Sequence, residues 1–320
     1  MNRQFNPPHS LSPKPVASAA SYRRRGRLRQ HAHWMACCLL AACSAPDYSA
    51  IRDWGRTASL ATTYWPAAEP IGTPDAEAGD DTAAALTGAS SIGVQPDLSI
   101  REDILLMQQV LSVYLAALAT VASDGVLPYR EDPFAPISAQ LATTNRTAGQ
   151  AVAAIGGLLR RASRTNMQAP ATGSFIIEAD PAVQSLIAEL ATTVASLSKA
   201  EAGQRDRITA SYAQLEGEAP STFRRQALRD LAAIRIQHYS IRADARANYL
   251  VLLERLSEGH ALLRIRSSHL SQEEVRRQVR AAEDQLRGAF DLLPRIPIPV
   301  SDAVQPVTLE DTADPSRPPP

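Results

Sequence analysis

The stretch Asp180-Pro181-Ala182-Val183-Gln184-Ser185-Leu186-Ile187-Ala188-Glu189-Leu190-Ala191-Thr192-Thr193-Val194-Ala195-Ser196-Leu197 decides the fold. Asp180 before Pro181 reads as a helix start: a capping carboxylate, then proline where no amide hydrogen bond is lost. Beyond it Val183, Ile187, Leu190, Val194, Leu197, Glu201, Gln204, Ile208, Ser211 and Leu215 recur in alternating steps of four and three. Such a heptad stripe needs a partner helix to cover it. Its polar interruption falls at Glu201 and Gln204. Gly217 and Pro220 close the helix and Ser221 opens the next. There Phe223, Ala227, Leu231, Ile234, His238, Ile241, Ala245, Tyr249, Leu252, Leu256, Gly259 and Leu263 form the stripe. A connection as short as 216–220 makes the two helices antiparallel neighbours. The expected fold is all-α, an antiparallel helical bundle with a long heptad-patterned helical hairpin.

The flanking sequence supplies the rest of the bundle. Ser271 and Glu274 form a capping box, followed by Val275, Val279, Ala282, Leu286, Ala289 and Leu293 in the same steps. Ser99 and Glu102 form another, opening a helix to Ser123 that is apolar around most of its circumference. Such a helix is central in a bundle or inserted in a membrane. The adjacent amides Gln108 and Gln109 favour the bundle, because both are costly in hydrocarbon. Asp124-Gly125 ends it, and a turn rich in charges and aromatics spans 127–134. Two shorter helices follow, around Pro136–Thr143 and Thr147–Arg164, with Gly156-Gly157 allowing close approach. Ser174-Phe175-Ile176-Ile177-Glu178 has β character and reads as a connection. A first amphipathic helix is expected from Ile51 to Trp65, with Trp54, Tyr64 and Trp65 covering the helical core.

At the N-terminus, Tyr22-Arg23-Arg24-Arg25-Gly26-Arg27-Leu28-Arg29 is densely basic and Trp34 to Ala42 is a short apolar run. That run is too short to span a bilayer. Leu40-Ala41-Ala42-Cys43 then resembles the lipobox of bacterial lipoproteins. The resemblance implies cleavage between Ala42 and Cys43, a diacylglycerol on the Cys43 sulfur and an N-acyl chain on the new N-terminus. It implies no further cofactor. Ser44 implies the periplasmic face of the outer membrane rather than the inner membrane. The expected organisation is a cleaved signal peptide (1–42), an anchor and juxtamembrane helix (43–65), an acidic flexible linker (66–98), a helical bundle (99–293) and a Pro-rich disordered tail (294–320).

Cleavage there changes what composition means. Seven of the 33 basic residues and none of the 33 acidic ones lie in 1–42, so the remainder has 26 basic against 33 acidic, a net of −7. That disfavours a nucleic-acid partner, which needs a basic face. Cys37 and Cys38 leave with the signal, so no thiol metal site is expected. No nucleophile or metal motif occurs, and no catalytic residue is assigned. His238, on the apolar stripe, reads as a core histidine with a hydrogen-bond partner. Glu258-Gly259-His260 and His269 lack metal spacing, and Gly259 reads as a point of close helix approach. Arg224, Arg225, Arg229, Arg235, Arg242, Arg246, Arg276, Arg277 and Arg280 read as solvated faces laced with Asp and Glu. The leading functional expectation is a membrane-tethered envelope protein whose hairpin is a structural or interaction module, through a protein partner or self-association. The alternatives are an enzyme or ligand site near His238, and a membrane-active helix at Ile104 to Ala122.

Overall fold

The hairpin is the spine of the molecule. The computed structural model describes residues 46–63 and 98–293, and among them the chain forms seven α-helices. These are α1 (Ser49–Thr62), α2 (Leu98–Val121), α3 (Ala135–Thr144), α4 (Arg146–Arg164), α5 (Thr172–Glu218), α6 (Thr222–Ile265) and α7 (Glu273–Asp291). The fold is an all-α antiparallel bundle, as expected. Helices α5 and α6, of 47 and 44 residues, pack along each other and turn at Ala219–Ser221. Ser221 accepts a hydrogen bond from the Arg224 amide and caps α6.

The sequence misplaced the start of α5. Asp180 caps nothing: the helix begins at Thr172 and carries Pro181 in its interior. Phe175 and Ile176, in the stretch read as a connection, and Ala179 just after it are buried in the main core. That packing outweighs the amide hydrogen bond Pro181 cannot make. The capping box at Ser271 is also corrected. Gln272 precedes α7, and no side chain caps it.

Helix α2 is the central helix. It lies against α1, α4 and α5, and Ile104, Met107, Val110, Leu111, Tyr114, Leu115 and Leu118 have no exposure. It is long and apolar enough to cross a membrane, yet it is largely buried inside the bundle. Gln108 is buried too and donates to the Tyr249 hydroxyl at 2.7 Å. Helix α1 is part of the same core, through Ala50, Ile51, Trp54, Ala58 and Ala61, and packs on α2 and α7. Tyr64, Trp65, the 66–97 segment and the Pro-rich tail lie outside the described residues.

Two glycines are points of close approach, Gly259 to another helix as expected and Gly156 to a turn rather than to a helix. A Cβ on Gly156 would stand 2.0 Å from Asp132 Oδ1, in the turn before α3. A Cβ on Gly259 would stand 2.7 Å from Trp54 Nε1 and 2.8 Å from Cζ2. Trp54 is fully buried, so its rigid indole cannot retreat. Gly259→Ala is therefore expected to cost about 1–3 kcal/mol by overpacking. An unchanged urea midpoint would show that α1 and α6 pack less closely than described.

The hairpin outruns the bundle core. That core ends at Leu197 on α5 and resumes at Tyr249 on α6. Beyond it Ile208, Tyr212, Leu228 and Tyr239 form a second small cluster, drawn from these two helices. In this distal half the stripe read on α6 is one residue out of register. Phe223 is 82% exposed, Ile234 55% and Ile241 42%, and His238 is exposed rather than in the core. The true seam is Leu228, Ala232, Arg235, Tyr239, Arg242, Arg246, Tyr249, Leu253, Leu256, His260 and Leu263. It keeps strict heptad steps but carries three arginines, which an apolar pattern search passes over.

Candidate functional site

Two buried polar groupings interrupt the core, one on each side of Tyr249. The first is a hydrogen-bonded chain between α2, α5 and α6. Tyr114 and His260 have no exposure and Asp180 has 6%. Tyr114 Oη lies 2.8 Å from His260 Nε2, and His260 Nδ1 lies 3.0 Å from Asp180 Oδ1. A carboxylate can only accept, so with a neutral imidazole Nδ1–H donates to Asp180 and Nε2 accepts the Tyr114 hydroxyl proton. Asp180 Oδ2 also faces Arg264 Nε at 3.2 Å. The hydrogen bond from His260 holds the Asp180 carboxyl below its ordinary value, against the opposing effect of burial. Burial pushes the Tyr114 phenol above its usual range. Trp54 and Phe175 close the chain in, Phe175 by stacking on Tyr114 with ring centroids 5.6 Å apart. A carboxylate orients the imidazole, as in a general base, but His260 is sealed from solvent, so its geometry serves packing and helix register.

The second grouping lies at the base of the distal hairpin. Glu201 on α5 is 4% exposed and receives Arg246 of α6 in a fork: Nη1 to Oε2 and Nη2 to Oε1, both 2.5 Å. Arg242 Nη2 stands 3.5 Å from the same Oε2, an ion-pair distance without a directed hydrogen bond. Its guanidinium lies 4.9 Å over the Tyr239 ring. Arg101, near the start of α2, is close enough to interact electrostatically with Glu201, Arg242 and Arg246. The three arginines are 5%, 8% and 1% exposed for Arg101, Arg242 and Arg246. Burial lowers the pKa of the Arg101 and Arg242 guanidiniums from the usual arginine value, and the Glu201 charge opposes this. Among the described residues, six of the cluster's buried nitrogens have no hydrogen-bond acceptor: Nε, Nη1 and Nη2 of Arg101, Nε and Nη2 of Arg242, and Nε of Arg246.

Against the sequence reading, Arg242 and Arg246 are thus core residues and not part of a solvated face. The other arginine assignments divide differently. Arg229 pairs with Glu216, Arg277 with Glu274, and Arg276 with both Asp47 and Glu273. Glu258 and His269 are exposed. The polar break read at Glu201 was the visible signal of the cluster, and Arg246 lies directly across the hairpin from it. His260 was passed over because the reading placed Gly259 on the stripe. Among the described residues no group of three His, Cys, Asp or Glu side chains converges as a metal-ligand set. Ala42 and Cys43 lie outside the described residues. Compared with protein-family models, curated proteins and solved structures, the chain matches none.

Proposed function

We propose that this chain is a lipid-anchored protein of the bacterial cell envelope whose hairpin is a structural or protein-interaction module. The observation that carries the reading is the polarity of the hairpin relative to the chain's entry into the bundle. Asp47 is ion-paired to Arg276 at the start of α7, and α7 begins soon after α6 ends at Ile265. The hairpin turn, at Ala219–Ser221, is the full length of α6 away. At 1.5 Å per residue that is about 65 Å. Only four peptide links separate Asp47 from Cys43. Fully extended they reach about 14 Å. Acyl chains on Cys43 would hold the α6–α7 end of the bundle near the membrane and aim the hairpin turn away from it.

Two further features support this reading. The distal half is cored by four residues and shows Phe223, Ile234 and Ile241 to solvent. Apolar side chains at such a place fit a surface that other chains contact. The test begins in the envelope of a diderm bacterium expressing the chain. Labelled palmitate should enter the wild-type protein and not Cys43→Ser. The variant should fold normally and leave the membrane fraction. Label in Cys43→Ser, or its retention after carbonate washing, would overturn the anchor. A photo-crosslinking residue at position 223 should trap one reproducible species in intact cells. A strictly monomeric pattern there would overturn the interaction module.

A further inference from the structure

We infer that Arg101, Arg242 and Arg246 form a binding site for a small oxyanion carrying about two negative charges: inorganic phosphate or a phosphate monoester. The inference is independent of the lipid anchor. Arginine stays charged in proteins, so three guanidiniums against the one Glu201 carboxylate leave about two uncompensated positive charges. Glu201 cannot neutralise them all. Both of its oxygens are engaged by the Arg246 fork, and Arg242 reaches it only at 3.5 Å. Arg101, which is 5% exposed, has no acceptor among the described residues on any of its three nitrogens. A buried unpaired charge is among the most costly features a core can carry, and an N–H without an acceptor adds to the cost.

One ligand chemistry answers all of these deficits. A phosphate dianion matches the surplus charge and offers several acceptor oxygens. Arginine forks fit such tetrahedral oxyanions in paired hydrogen bonds, which lysine cannot reproduce. The three donors come from two helices, Arg101 from α2, and Arg242 and Arg246 from α6, and Glu201 of a third, α5, holds Arg246 in place. An anion there would clip α2 to the base of the hairpin. Arg242, at 8% exposure, is the most open member of the set and marks the side from which a small ion enters.

The experiment uses the purified full chain, freed of phosphate, in chloride buffer at fixed ionic strength. Isothermal titration with sodium phosphate should give saturable binding, and phosphate should raise the thermal midpoint where sodium chloride at equal ionic strength does not. Glycerol phosphate separates the sources. An equal response assigns the monoester as an acceptable ligand, and a response to inorganic phosphate alone restricts the site to the free ion. Arg101→Met keeps the length of the side chain without its charge. It should weaken phosphate binding at least tenfold while raising the midpoint in chloride alone. Arg101→Lys, which keeps the charge without the fork, should also bind more weakly. No saturable heat with the wild type, or wild-type affinity in both variants, would overturn the site and leave the cluster an ion network of the core.

Discussion

Glu201→Gln is expected to destabilise the protein by about 3–5 kcal/mol, the range for removing one partner of a buried ion pair. The side chain is almost isosteric, so packing is retained and the effect is electrostatic. What remains is three buried guanidiniums with no negative charge among them, two of which had Glu201 within 3.5 Å. The amide also presents an N–H₂ group to Arg246, replacing one accepting oxygen with a donor. Urea unfolding in chloride buffer measures the loss. Arg246→Gln should be costly as well, and the double variant should lose less than the sum, because the two side chains share one interaction. Additive losses would mean that the fork contributes little and that each residue acts through packing alone. Simultaneous replacement of the cluster by apolar residues of similar volume is expected to restore much of the stability, since a buried ion network carries a large desolvation cost.

His260→Leu is the second large change, expected at about 2–4 kcal/mol. The volume is roughly kept, but the Tyr114 hydroxyl loses its partner inside the core and Asp180 Oδ1 keeps only the Gln184 amide at 3.5 Å, and an unpaired buried polar group costs about 1–3 kcal/mol. This chain also has a pH signature. The folded Asp180 carboxyl is held below its ordinary value of 3.8, first by the hydrogen bond from His260. A folded pKa below the unfolded one means stability that is fully present above the unfolded value and is lost as pH falls through the folded one. The wild type should therefore lose this contribution below about pH 4. Asp180→Asn cannot ionise and should unfold with a shallower acid slope there, at lower stability near neutrality. Parallel slopes for the two proteins between neutrality and pH 3 would show that Asp180 is not stabilised by its histidine.

These two sites measure how far the linear pattern reaches. The α5 stripe was legible almost residue for residue, from Val183 through Ile208, because apolar spacing there coincides with the seam. The proximal stripe of α6 was legible for the same reason at Tyr249, Leu252, Leu256 and Leu263. The distal half of α6 was not. Ile234 and Ile241 are apolar and sit beside the seam, whereas Arg235 and Arg242 are charged and sit on it, so a reading that ranks residues by hydrophobicity slides by one position. His238 was misplaced into the core by the same slip. His260 was left off the stripe because Gly259, its neighbour, accepts the Trp54 ring and occupies an equally plausible register.

By itself the sequence determined the helical class, the hairpin and its turn, and the central place of the Ile104–Ala122 segment. Those follow from local spacing: a period near 3.5 residues, a five-residue connection, and an apolar circumference with amides inside it. Only the tertiary structure decided that α5 begins at Thr172 and carries Pro181, because the burial of Phe175 and Ile176 is a long-range gain that local caps do not register. It also decided which polar residues are core. Charge in a core is best tolerated where a partner meets it, and the partners here are far apart in the chain: Asp180 with His260 and Glu201 with Arg246. Hydrophobic periodicity is a property of one helix, whereas compensation of a buried charge is a property of the surfaces that meet.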